Sequence, residues 1–207
     1  MAAFMHSFVR VLAAGLPRRI VFYGTSLTAD GAWVPLLRAE LDAHFPRRVT
    51  AFNGAEPGMH SRWGVENLEM RVLKHNPDVV FIEFSVNDAC ARFEITPAEA
   101  RANLETMIDR IRVRNPGCDV ILQVMNPVLD RPEGHAGHRP HLAQYQDVYR
   151  EVGKERNLLV IDHMPAWTEL LERDEKTFRA WVPDGLHPQP EGYARLVLPE
   201  ILSRLGV

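Results

Sequence analysis

The chain has 207 residues, 46% hydrophobic and 25% charged, which is enough apolar surface for a self-sufficient core and too much for a disordered segment. Twenty-four basic against 27 acidic side chains give a net charge of −3, so there is no electrostatic footprint for nucleic acid. No apolar run approaches the roughly 20 residues that span a bilayer, and the length fits one domain over residues 1–207 better than two.

Residues 1–18 read as an N-terminal helical extension, because Phe4, Phe8, Val11 and Leu12 share one helical face. Arg10 splits this apolar stretch and no basic residue precedes it, unlike a secretory signal, so a cytoplasmic location is expected. Five short apolar runs follow, at 20–23, 49–52, 79–84, 120–125 and 158–161. They are β-branched or aromatic and nearly unbroken, as strands covered on both faces are.

Helical stripes separate the runs. Val34, Leu37, Leu41 and Phe45 follow the first. Before the fourth, Thr96, Pro97 and Glu99 form a capping box with proline at the first helical position. Leu104, Met107, Ile108 and Ile111 then continue at helical spacing until Asn115-Pro116-Gly117. Leu142, Tyr145, Tyr149 and Val152 form a stripe before the fifth run. Ala194, Val197, Ile201 and Leu205 close the chain, with Pro199 expected to kink or interrupt that helix. Strands alternating with helices predict an open, mostly parallel five-stranded α/β sheet with helices on both faces. In such sheets ligands bind outside the carboxyl ends of the strands.

Those ends carry chemistry. After the first run stands Gly24-Thr25-Ser26-Leu27-Thr28, a serine on a tight turn leading into a helix; alone, it reads more readily as a helix cap. It is not the Gly-x-Ser-x-Gly elbow of α/β-hydrolases. After the second comes Asn53-Gly54-Ala55-Glu56-Pro57-Gly58, where Gly58 can offer a backbone N–H to an anion or simply turn a loop. The third ends in Ser85-Val86-Asn87-Asp88, whose Asn87 amide brings uncharged donors suited to an oxyanion or to a turn. Before the last helix, Asp184-Gly185-Leu186-His187-Pro188 sets a carboxylate three residues from an imidazole. Each block is weak alone; all four fall on the ligand-binding edge.

These four blocks, between about residues 20 and 192, resemble those of the SGNH (GDSL-type) hydrolases. The resemblance implies a flavodoxin-like three-layer α/β/α sandwich and a serine esterase that forms an acyl-enzyme. It assigns Ser26 as nucleophile, His187 as base and Asp184 as its partner, with an oxyanion hole from the Ser26 and Gly58 N–H groups and the Asn87 side chain. No cofactor or metal is then required. Two positions depart from the family pattern: Thr25 stands where Asp precedes the nucleophile, and Ser85 where Gly lies two before Asn87.

Other residues invite competing readings. His135, His138 and His141 tempt toward a metal, but no carboxylate or cysteine completes a shell, so a mobile loop near the site is expected. Cys90 and Cys118 are too few for a disulfide framework and read as reduced thiols. Glu83 interrupts an apolar strand and needs a partner; it is expected either to hydrogen-bond behind Asn87 or to sit where the sheet face is wet, with a structural role in either case. Trp63, Arg62 and Trp181 are the substrate-binding candidates; Trp33, Glu56, His60 and Arg92 are weaker ones. Polar and aromatic loops without a long apolar lid point to a small-molecule ester, with a carbohydrate O-acetyl ester first. The alternatives are a lysophospholipase or thioesterase activity, an inactive carbohydrate-binding module, or a nucleotide binder. Retention of all four blocks argues against the inactive module, and the lack of a Gly-rich phosphate loop argues against the last.

Overall fold

The computed structural model describes residues 5–207, so Phe4 lies outside the described residues. The helix α1 (Ser7–Ala13) buries Phe8, Val9 and Leu12, while Val11 is only half-buried. The five apolar runs become β1 (Arg18–Gly24), β2 (Val49–Asn53), β3 (Val79–Glu83), β4 (Asp119–Val124) and β5 (Leu159–Asp162). They form one wholly parallel sheet in the order β2-β1-β3-β4-β5. Chain order reverses direction across the sheet between β1 and β3, the switch point at which such folds open a crevice.

The two-residue side-chain period of each strand separates two cores. Ile20, Phe22, Val79, Phe81, Ile121 and Ile161 face one layer, built from α1, α2 (Trp33–His44), α6 (Met164–Arg173), α7 (Glu175–Trp181) and α8 (Leu198–Leu205). Val21, Tyr23, Val80, Ile82, Val120 and Leu122 face the other, where α3 (Ser61–Arg71), α4 (Pro97–Arg114) and α5 (Leu142–Glu155) lie. The chain thus folds as a three-layer α/β/α sandwich. The capping box closes as read: the Thr96 oxygen accepts the Glu99 N–H at 3.1 Å. The regular α-helix is interrupted before Pro199, as expected: residues 193–197 form a π-helical turn, and α8 follows with the proline in its first turn. Among the described residues no helix is long and apolar enough to cross a membrane. Cys90 and Cys118 are both buried and free.

Candidate active site

The serine turn is held from below. Gly24 ends β1 where a Cβ would lie 2.4 Å from the Glu83 carbonyl oxygen, so a side chain there would push β1 and β3 apart. Thr25 then caps a single helical turn, Ser26–Ala29, accepting the Leu27 N–H at 3.2 Å. Its hydroxyl and N–H donate to the Glu83 carboxyl at 3.0 and 3.2 Å, and the Thr28 hydroxyl donates at 3.1 Å. Glu83 therefore sits under the serine turn, neither behind Asn87 nor on a solvated sheet face. From the sides, the Trp33 indole N–H (2.9 Å) and the Asn53 amide (3.1 Å) donate to carbonyls of the turn.

Glu83 is fully buried, and burial pushes its carboxyl up to about 8 against the pull of the Thr25 and Thr28 hydrogen bonds. Asp88, equally enclosed, is pushed up to about 7 by burial, although it accepts the Ser61 N–H at 2.7 Å. The native protein holds both protons more tightly than the unfolded chain does. Their contribution to stability is complete below the ordinary carboxylate range and is lost as pH rises through these values. His163, buried and drawn down to about 4, has the opposite effect and acts only on the acid side. The thermal midpoint is therefore expected to fall as pH rises from about 4.5 to about 8, opposed by His163 over the lower part of that range, and to fall less steeply in Glu83→Gln, which cannot ionise. Parallel slopes in the two proteins would show that Glu83 is already ionised in the wild type.

The Asp184–His187 segment reaches the same spot from the far end of the chain. Asp184 accepts the Leu186 and His187 N–H groups through Oδ1 at 2.9 and 2.7 Å, folding the segment around its own carboxylate. Gly185 takes φ +80°, and a Cβ on it would approach the Leu129 Cβ to 2.9 Å. The other carboxylate oxygen lies 2.5 Å from His187 Nδ1, and His187 Nε2 lies 2.8 Å from Ser26 Oγ. With a carboxylate at Nδ1, that nitrogen carries the proton and Nε2 is left to accept from the serine hydroxyl. Burial pushes the Asp184 carboxyl up, but the hydrogen bonds from the His187 ring, its N–H and the Leu186 N–H outweigh it and hold the group below the usual carboxylate range.

Gly58 takes φ +75° in an open loop, which is tied to β1 by the Glu56 N–H donating to the Gly24 carbonyl at 3.1 Å. Asn87 is buried, and its side-chain amine donates to the Met59 carbonyl at 2.8 Å, next to Gly58. Its carbonyl oxygen accepts from the Arg139 guanidinium at 3.1 Å. An arginine can only donate, so this bond fixes which way the Asn87 amide faces. Arg139 also donates to the Val86 and Gly137 carbonyls at 2.7 and 2.8 Å. Sequence reasoning missed this residue. It lies in a loop without periodicity, between two of the histidines that drew attention to metal.

That loop, after β4, is tied to its neighbours by hydrogen bonds. The Leu129 N–H donates to Gly185, the Asn126 amide to Leu186 and the Ala91 N–H to His138, each at 2.8–2.9 Å. The three histidines diverge. His135 accepts the Gly137 N–H, His138 bonds the Arg131 carbonyl, and His141 lines a separate cavity beside Tyr145. Among the described residues no three His, Cys, Asp or Glu side chains gather as ligands.

The aromatic substrate-binding candidates pack against the two cores. Trp63 packs on Tyr23 at 5.8 Å, with the Arg71 guanidinium over its ring. Trp33 is fully buried in the first core, and Trp181 packs against that core at the end of α7. Arg62 pairs with Glu99 at 2.8 Å, and Glu56 with Arg71 at 2.9 Å. His60 caps α3 and tilts against Phe93. These side chains are engaged in holding α3, α4 and the loops together, and only Arg92 of the weaker candidates lines a cavity near Asp184.

Comparison with known proteins agrees with this architecture. The model of the GDSL-like lipase/acylhydrolase family matches residues 20–195. The chain belongs to that family, and is an esterase or acylhydrolase. It is 27% identical to an arylesterase of Vibrio mimicus, over 93% of this chain and 92% of that protein. It is also 27% identical to the mouse (Mus musculus) isoamyl acetate-hydrolyzing esterase 1 homolog, over 87% and 78%. Among solved structures, the lipase/acylhydrolase from Enterococcus faecalis superposes with a TM-score of 0.72 at 31% identity, over 90% and 96%.

Proposed function

We propose that the protein hydrolyses small acyl esters through a Ser26–His187–Asp184 triad and an acyl-enzyme. The observation that carries this is the continuous hydrogen-bonded line from Ser26 Oγ through His187 to the Asp184 carboxylate. His187 Nε2 takes the hydroxyl proton as Ser26 Oγ attacks the ester carbonyl, and then delivers it to the departing alkoxide. Water, deprotonated by the same nitrogen, cleaves the acyl-enzyme and restores the serine. Asp184 holds the ring orientation and stabilises the imidazolium formed in both steps. The tetrahedral oxyanion is held by the Ser26 and Gly58 N–H groups and by the Asn87 N–H not used on Met59, each donor worth about 2.7–4 kcal/mol in comparable sites.

Support for short acyl groups comes from the names of the relatives, which act on aryl esters and isoamyl acetate, and from the small polar cavity beside Asp184. An acetylated sugar is the second substrate reading. The polar cavity wall favours it, while no tryptophan among the described residues lines that cavity. A serine-directed fluorophosphonate tests the mechanism: mass spectrometry is expected to find one adduct, on the peptide containing Ser26. Labelling elsewhere, or no labelling of an enzyme that still turns over esters, would remove Ser26 as the nucleophile.

A further inference from the structure

A cavity of about 300 Å³ adjoins the triad, walled by Asp184 and Leu186 on one side and by Arg139, which holds Asn87, on the other. Arg92 and Arg131 add two further guanidiniums to its lining, beside the His135 ring. The wall thus sets three guanidiniums against one carboxylate, and that carboxylate is already bonded to the His187 ring and two backbone N–H groups. Among the described residues none of the three guanidiniums meets a carboxylate. Arg131 donates to the Asp184 main-chain carbonyl at 2.8 Å, and Arg139 donates only to carbonyl oxygens. Arg92 stacks on Phe93 at 4.5 Å and makes no hydrogen bond. Asp130, behind the wall, is occupied by the Arg131 N–H (2.8 Å), the Arg139 N–H and His138 (3.2 Å). Burial and then the like charge of Arg92 draw the Arg139 guanidinium below its ordinary value, with Asp130 and Asp184 opposing. Cations gathered this way in a partly enclosed space, with free donors, match an anion.

We infer that this cavity receives a carboxylate carried by the substrate itself, so that the preferred ester is an anionic one. The volume lies at the low end for ligand sites and suits a small group of this kind. The inference rests on the esterase reading above. The test uses two matched pairs of esters. One pair carries the charge on the alcohol side, meta-acetoxybenzoate against meta-acetoxybenzamide. The other carries it on the acyl side, the para-nitrophenyl monoester of adipate against that of adipamate. In at least one pair the carboxylate is expected to be favoured about tenfold in kcat/KM at low ionic strength, the scale of one charge-assisted hydrogen bond, with the preference shrinking in salt. Arg92→Gln is expected to lower that ratio about fivefold or more. Because both esters of a pair meet the same protein, the ratio is insensitive to any loss of folded enzyme. Hydrolysis of the neutral esters with no preference for the anionic ones would overturn the inference and spare the esterase reading. A preference that survives both Arg92→Gln and Arg131→Gln would also overturn it, by placing the anion elsewhere. Failure to cleave any of the four esters would sink the reading of small acyl esters as substrates, and this inference with it.

Discussion

Ser26→Ala is expected to lower turnover by about 10⁴-fold or more, since removing the nucleophile of a comparable triad costs on the order of 10⁶ and leaves only oxyanion stabilisation and binding. The protein should remain folded. The Ser26 hydroxyl makes one side-chain contact, with His187, whereas the turn is held by Glu83, Asn53 and Trp33, none of which touches that oxygen. Its removal is expected to change stability by no more than about 1 kcal/mol. The measurement is kcat on an activated aryl acetate beside a thermal melt. A folded variant that keeps about a hundredth of wild-type turnover or more would mean that another group attacks the ester.

Asp184→Asn carries the second large effect. The amide cannot compensate the imidazolium, and its NH₂ competes to face His187 Nδ1, which would place the ring proton on Nε2, toward the serine. In a serine hydrolase with this arrangement the equivalent change costs about 10⁴-fold in kcat. A smaller loss, on the order of 10²- to 10³-fold, is expected here, because both Asp184 and His187 are partly open to solvent, which screens the lost charge. The acid limb of the pH–rate profile is expected to move to lower pH, since the imidazolium loses its carboxylate. Unchanged turnover with an unchanged acid limb would reduce the triad to a Ser26–His187 pair.

Much of this architecture was legible in one dimension, for local reasons. Runs such as 79–84 are apolar on both faces, and a short run with that pattern has few stable fates other than an inner parallel strand. The Thr96 cap and its box are settled within four residues. The four site blocks were legible because each sits where a strand or helix ends, and in a parallel sheet those ends share one edge. What lay beyond reading was who meets whom. Glu83 and Thr25 are 58 positions apart, Arg139 and Asn87 are 52, and Ser26 and His187 are 161. A residue type declares what bonds it can make, but the sheet order and register decide which partner arrives. Hence a glutamate expected behind Asn87 or on a wet sheet face lies beneath the serine, and an arginine without a motif holds the Asn87 amide. The tryptophans show the same limit from the other side. An aromatic ring is chemically suited both to a ligand and to a core, and its burial is decided by the helix that packs over it. Trp63 and Trp181 went to packing, while Arg92, Arg131 and Arg139, scattered through 48 positions, were brought together around one cavity by the loop that Asn126 and Leu129 tie to the Asp184 segment.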